Sequence, residues 1–266
     1  MSAVPQAAEQ PLFLREDIGG VAHLQLNRPA QFNALSQAML NALIAELDRI
    51  AADERIRVVV IGGEGKAFCA GHDLKEMRGN YTLGFQQALF RLCSKFMMKL
   101  VELPQPVIAR VHGIATAAGC QLVSMCDLAV ASDVARFAVS GINVGLFCAT
   151  PSVGLSRNIG RKQAFEMLVT GDFIDAAEAQ RRGLINRVVA AEGLDGEIRR
   201  LADSIIAKSP VAVRMGKQMF YRQLENGLDA AYQLASETMA CNMMAEDAAE
   251  GIDAFIAKRP AIWKGR

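Results

Sequence analysis

Two stretches carry residues whose types and spacing could do chemistry. VHGIATAAGCQLVSMCD (Val111 to Asp127) runs from a strand end through tiny residues into an apolar helix. GGEGKAFCAGHDLKEM (Gly62 to Met77) follows a buried β-branched strand and makes the same kind of small-residue turn. Small side chains let a ligand approach the main chain closely, and free N–H groups at a helix N-terminus receive negative charge. Two such groups converging from separate loops would form an oxyanion hole. The GEGK tetrapeptide does not extend this to nucleotide triphosphates. The pattern GxxxxGK[ST] needs a glycine where Val60 stands and a hydroxyl residue where Ala67 stands.

These turns need a scaffold, and the hydrophobic periodicity supplies one. Val21 to Leu26 alternates as a strand, with His23 pointing outward and given no role. Ser36 can cap a helix whose stripe is Leu40, Leu43, Ile44, Leu47 and Ile50. Arg57 to Ile61 is a buried strand closed by Gly62 and Gly63. A second stripe, Phe85, Leu89, Leu92, Phe96 and Leu100, predicts a helix ending before Pro104. Strands are expected at Val107 to Val111, Asp127 to Ala131 and Arg136 to Val139, with a helix from about Ala117. Asp175 caps AAEAQRR, Gly183 stops it, and LINRVV is a short strand. Helices follow at about 192–207, 210–224, 228–245 and 247–258. The recurrence of strands and helices predicts an α/β protein with a central sheet. The Ala- and Met-rich final helices, with Met239, Met243 and Met244, read either as a subunit-joining surface or as an intramolecular lid.

Bulk properties narrow the function classes. The chain has 266 residues, 52% of them apolar, enough for one large domain or a domain with a helical appendage. Twenty-nine basic residues against 28 acidic ones leave no footprint for nucleic acid and no polybasic membrane anchor. The six cysteines form neither a CxxC pair nor a zinc-spaced cluster with histidine, so no metal site is expected. They read as buried free thiols in a reducing, cytoplasmic setting. MSAVPQAAEQPLFLRED lacks the features of a signal peptide, and residues 1–11 are expected to form a flexible arm. The uncharged run from Phe137 to Leu155 is broken by Gly141, Asn143, Gly145, Pro151 and Gly154, which predicts a buried, turn-rich segment rather than a membrane span.

Four separated motifs, NRPAQFNALS (Asn27 to Ser36), GKAFCAGHDLKEM, VHGIATAAGCQLVSMCDLAVAS and AAEGIDAFIAKRPAIW, resemble the crotonase superfamily, the enoyl-CoA hydratase/isomerase family, from about residue 12 to 263. The resemblance implies a spiral core of ββα units with two roughly perpendicular sheets over 12–195. It also implies a C-terminal helical trimerisation region over 196–266, and trimers or hexamers. Its ligand is an acyl-coenzyme A thioester, coenzyme A arriving as part of the substrate and no separate cofactor being used. By motif position the oxyanion donors would be the backbone N–H groups of His72 and Ala118. Arg28, Ala30, Gln31, Lys66, Ala67 and Ala70 match positions lining the nucleotide and pantetheine. Phe255 and Lys258 match positions reaching coenzyme A, often from a neighbouring subunit. Lys66 and Lys258 read equally as solvated surface lysines.

The pattern breaks where the family's hydratases carry two glutamates, for those positions are Gln121 and Gly141 here, and a third acidic position used by some relatives falls near Ala149. An amide orients water but cannot accept its proton near neutral pH, and glycine does neither. The His72 imidazole either faces the pocket and titrates or turns away. His112 reads as a structural hydrogen-bonding residue, Cys120 and Cys148 as packing, and Asp73 as a loop tie, with Glu76 near the pocket edge. Thr116, Ser140 and Asn143 could hold a water or an acyl group. Phe85, Met77, Leu146 and Phe147 could line the pocket. Three readings follow: an acyl-CoA enzyme relying on enolate stabilisation rather than efficient hydration, a non-catalytic acyl-CoA binding protein, and an interaction or RNA-binding protein on the same scaffold.

Overall fold

A computed structural model describes residues 10–266; residues 1–9 of the expected arm lie outside the described residues. The chain runs β1 (Phe13–Ile18), β2 (Val21–Leu26), α1 (Gln37–Ala51), β3 (Val58–Gly63), β4 (Ala67–Cys69), α2 (Leu74–Gly79), α3 (Leu83–Glu102), β5 (Val107–Val111) and β6 (Ile114–Thr116). It continues with α4 (Ala118–Met125), β7 (Leu128–Ser132), β8 (Arg136–Ala138), α5 (Ala149–Asn158), α6 (Arg161–Thr170), β9 (Ile174–Asp175), α7 (Ala176–Arg182) and β10 (Arg187–Val189). Four helices close it: α8 (Leu194–Ile206), α9 (Pro210–Leu224), α10 (Leu228–Met243) and α11 (Glu246–Ile256).

The strands form a six-stranded sheet in the order β1-β2-β3-β5-β7-β10 and a four-stranded sheet in the order β4-β6-β8-β9. Successive strand pairs divide between them. β3, β5 and β7 lie side by side and parallel in the large sheet, while β4, β6 and β8 lie side by side and parallel in the small one. Each pair is followed by a helix, so the ββα unit repeats and lays its successive turns on one another. Among the described residues only β1 against β2 and β9 against β8 run antiparallel.

Local chemistry accounts for the elements. Ser36 accepts from the Met39 N–H at 3.2 Å and caps α1. The expected stripe of α1 is buried throughout, each large side chain contributing about 1.5–3 kcal/mol by leaving water. Asp175 caps α7, and Gly183 ends it at φ 88°. Strand β1 went unanticipated: FLREDI shows no apolar run, because it is a charged edge strand. Gly19 and Gly20, at φ 58° and 84°, make the two-residue turn that pairs it with β2. The main chain is already held before β1, since Asn27 donates to the Pro11 and Leu12 carbonyls. Gly62 and Gly63, expected to close β3, instead belong to it.

The terminal helices are tied to the core by one polar cluster. The Lys217 ammonium donates to the Leu100 and Gln105 carbonyls and, at 2.6 Å, to Asp127. Asp127 also accepts from the Tyr221 hydroxyl at 2.8 Å and the Val107 N–H at 2.6 Å. On α10 and α11, by contrast, Leu228, Tyr232, Met239, Met244, Phe255 and Ile256 are exposed, an extensive apolar surface. Among the described residues no helix is long and apolar enough to cross a membrane, and the run from Phe137 to Leu155 leaves β8 for turns and the short helix α5, with Val144, Leu146, Phe147 and Val153 exposed rather than buried as expected.

Candidate functional site

The two glycine-flanked turns leave neighbouring parallel strands. β4 pairs with β6, Cys69 opposite Ala115, so the segments Ala70–His72 and Ala117–Ala118 emerge side by side. Gly119 seats its α-carbon on the Cys69 carbonyl, where any side chain would collide. Asn33, fully buried at φ 57°, donates to the Glu64 and Ala67 carbonyls at 2.9 and 2.8 Å. It thereby fastens the Arg28–Gln31 loop to the loop bearing Lys66. Ala70 donates to the Phe32 carbonyl at 3.0 Å, and Leu35 donates to that of Gly71 at 2.7 Å.

That last bond frees the His72 amide. In a parallel bridge the bonds come from the groups flanking the bridging residue; Leu35 and His72 make such a bridge, which leaves the His72 N–H unused. Ala118 opens α4, so its N–H has no carbonyl one turn earlier to bond. Among the described residues neither N–H meets an acceptor. Both residues line one cavity of about 260 Å³. Ala117, immediately before the second donor, is held at φ 49° and ψ −122°, a sparsely populated conformation for a residue with a Cβ. The Ala117 N–H donates to the Ala138 carbonyl at 3.1 Å and helps hold that turn.

The cavity wall is mostly apolar. Met77, Leu146 and Phe147 line it as expected, and Leu74, Phe90, Val144 and Pro151 join them. Phe85 packs against the main core instead. Ser140 lines the cavity and shares a 2.7 Å hydrogen bond with the Thr116 hydroxyl. Asn143 is outside the lining, and Thr150 supplies another hydroxyl. Among the described residues no carboxylate and no lysine or arginine lines the cavity. Its titratable groups are His72 and Cys148, and burial pushes the Cys148 thiol up.

Gln121 and Gly141, the two positions singled out in the sequence, have different surroundings. Gln121 is 4% exposed, lies behind the cavity lining, and its Oε1 is buried without a partner. Gly141 does line the cavity, but a Cβ there would come within 2.6 Å of the Leu146 carbonyl oxygen and 2.8 Å of Cys148 Sγ. The glycine is therefore built into the packing of its turn rather than being a truncated side chain facing free space. Ala149 lines the cavity as well.

The acidic residues and the arginine beside the turns are committed. Asp73 caps α2 and pairs with Arg28 at 3.3 Å, and Arg28 also donates to the Ala34 carbonyl. Glu76, expected near the pocket edge, accepts from the Gln37 N–H at the start of α1 and does not line the cavity. His112 makes the structural bond anticipated for it, to the Gly65 carbonyl at 3.0 Å. The Cys69 and Cys120 thiols are buried and pushed up to about 12, so neither offers a thiolate. Ala30, Gln31 and Lys66 are exposed along the edge that Asn33 assembles, while Ala67 is buried in β4. Phe255 and Lys258 are exposed at the end of α11 and do not line the cavity. Sequence reasoning did not single out Asn33 or Phe90: the first works through its left-handed backbone, and the second stands on an ordinary helical stripe.

Comparison with known proteins agrees with this architecture. Residues 16–266 match the sequence profile described as Enoyl-CoA hydratase/isomerase. A mitochondrial enoyl-CoA hydratase domain-containing protein 3 from Rattus norvegicus is 47% identical over 244 residues, 92% of this chain and 81% of the relative. A probable enoyl-CoA hydratase from Rhizobium meliloti (strain 1021) is 36% identical over 257 residues, 95% of this chain and 98% of the relative. A crystal structure of an enoyl-CoA hydratase from Mycobacterium smegmatis is 58% identical, covering 96% of this chain and 99% of that one with a TM-score of 0.94. That of human enoyl-CoA hydratase domain-containing protein 3 is 43% identical, covering 95% and 100% with a TM-score of 0.93.

Proposed function

Because the chain belongs to the enoyl-CoA hydratase/isomerase family, we propose that its cavity takes the acyl part of a coenzyme A thioester, with the carbonyl oxygen between the N–H groups of His72 and Ala118. The observation that carries this reading is the pair of unspent donors in one apolar wall. Removing a proton beside the carbonyl, or adding a nucleophile two carbons away, moves negative charge onto that oxygen. Fixed donors favour the resulting enolate over the ground state, each by roughly 3 kcal/mol. The start of α4 adds its dipole to the second donor.

The chemistry is enolate formation and proton movement rather than fast hydration. Hydration needs a base for the attacking water and an acid for the α-carbon, and no carboxylate lines the cavity. The apolar lining suits an uncharged acyl chain, since it holds no cation to pair a second carboxylate. The exposed edge bearing Ala30, Gln31 and Lys66 is where we place the nucleotide and pantetheine. We assign Phe255 and Lys258, both exposed at the end of α11, to the coenzyme A site of a neighbouring subunit. The apolar surface of α10 and α11 supports assembly into trimers or hexamers.

Acetoacetyl-CoA tests the reading, because its enolate has its own near-ultraviolet band. Binding to the wild-type protein is expected to raise that band. Ala118→Pro, which lacks the second donor, is expected to bind free coenzyme A as the wild type does yet leave the band flat. Neither heat nor a band with ligand up to millimolar concentration would overturn the proposal.

A further inference from the structure

We infer that the imidazole of His72 is the proton-carrying group of this cavity, taking the place of the absent glutamates. The inference rests on the thioester reading above. His72 Nδ1 lies 3.2 Å from the Leu35 carbonyl. A carbonyl only accepts, so Nδ1 carries the hydrogen and the neutral ring presents its lone pair at Nε2. Nε2 is buried without a partner, in a residue that lines the cavity. A buried acceptor left unpaired is costly, so its persistence in a cavity wall calls for a functional account.

The surroundings favour a neutral base over a fixed cation. Burial lowers the affinity of His72 for a proton, and the Leu35 carbonyl opposes this only in part. Of the charged groups on its own loop, Asp73 is spent on Arg28 and on the cap of α2, and Glu76 is held by the Gln37 N–H. From α3 the neighbour is Phe90, edge-to-face with the imidazole at 5.5 Å between ring centres. From across the cavity Cys148, its thiol pushed up by burial, is the remaining titratable group of the lining. Nothing therefore holds the ring protonated at neutral pH. Because Nε2 has no contact with solvent, the acyl chain itself has to press into this wall, where Phe90 packs against the ring, to reach it.

The step balances without a further reactant. The C2–H bond of the thioester breaks, its proton passes to Nε2, and the electron pair moves into the enolate held by the His72 and Ala118 amides. Return of a proton to C2 regenerates the thioester. With a 3-enoyl thioester, return to C4 moves the double bond into conjugation. One residue then serves twice, its amide at the oxygen and its ring at the carbon.

The test is deuterium uptake at C2 of butyryl-CoA in heavy water, followed by mass spectrometry, with binding measured separately by calorimetry. Wild-type exchange is expected to be flat above the imidazole's ionisation and to fall below it, at a pH under the ordinary histidine value. His72→Gln keeps the amide donor and cannot carry a proton; it is expected to bind butyryl-CoA yet lose exchange by about 100-fold or more. His72→Asn serves equally if the glutamine variant does not fold, and the wild-type pH profile needs no variant. Binding without exchange in the wild type, exchange that survives in a folded, binding variant, or a wild-type rate independent of pH would each overturn the assignment. Failure of butyryl-CoA to bind at all would overturn the thioester reading, and this inference with it.

Discussion

Gly71 and Ala117 stand against each other, each at positive φ and each immediately before a free amide. Gly71 is at φ 96° ahead of His72, and Ala117 at φ 49° ahead of Ala118. A Cβ added to Gly71 would lie 2.9 Å from the Ala117 Cβ and 3.2 Å from the Ala118 nitrogen. The two unusual conformations therefore belong to a single contact between the loops. Gly71→Ala should force these loops apart. The expected cost is about 1–3 kcal/mol of stability with a loss of thioester affinity of about tenfold or more, read by thermal unfolding and calorimetry. Unchanged affinity for butyryl-CoA would show that the contact does not shape the site.

Hydration of crotonyl-CoA is expected to be very slow, and placing glutamates at 121 and 141 is not expected to raise it. The sequence alone suggests that Gln121→Glu with Gly141→Glu would raise the hydration rate on an otherwise competent scaffold. The structure argues otherwise, because a side chain at 141 meets the Leu146 carbonyl and Cys148 Sγ, and Gln121 is buried behind the lining. The double variant should lose stability, from overpacking at 141 and a buried carboxylate at 121, while its hydration rate stays near the wild-type level. A rate raised a hundredfold in a folded double variant would show that both turns can remodel.

What the sequence disclosed were features written in a few consecutive residues. The Ser36 cap, the stripe of α1, the Asp175–Gly183 helix and the two small-residue turns all depend on local periodicity or on one capping side chain. The ββα repeat and the donor positions became legible through the resemblance of four motifs. What stayed hidden depends on distant partners or on backbone conformation. Asn33 acts through its left-handed main chain, and Lys217 meets Asp127 across 90 residues. The tight space around Gly141 is set by Leu146 and Cys148, and no glycine announces its neighbours. The bond of His72 to the Leu35 carbonyl and its edge-to-face contact with Phe90 join residues far apart in the chain, which periodicity does not encode.

Lys217 and Asp127 are expected to be a principal anchor of the terminal helices. Burial favours the neutral form of Lys217 and the facing carboxylate opposes it, the net effect lying below the ordinary lysine value. Lys217→Met leaves the half-buried Asp127 with the Tyr221 hydroxyl and the Val107 amide as its donors. A loss of about 3–5 kcal/mol is expected in urea unfolding. Adding Asp127→Asn should recover part of it, and strictly additive losses would argue that the two groups do not act as a pair.

The exposed apolar surface of α10 and α11 predicts assembly. Phe255 and Met244, each 85% exposed, stand out among its side chains. Sedimentation should give a trimer or hexamer, and Met244→Lys with Ile256→Asp should shift it toward monomer with the fold retained. A wild-type monomer at micromolar concentration would contradict the expectation.

Mild acid should destabilise the protein through its three histidines. Burial lowers the proton affinity of His23, His72 and His112 below the ordinary value near 6.5. Between each lowered value and 6.5 the unfolded chain binds more protons than the folded one, so stability rises with pH through that window and falls as pH drops into it. Carboxylates do not confuse the reading there. Glu178 and Glu250 are held at about 2 by hydrogen bonds from Arg181, Arg182 and Arg259, and their contribution is lost only at far lower pH. The urea midpoint is therefore expected to drop between pH 7.5 and 5.5, and the drop should shrink in His112→Gln, which keeps a donor for the Gly65 carbonyl. A midpoint that holds or rises across that range would mean that the buried imidazoles are already protonated, and His72 could not then serve as a base.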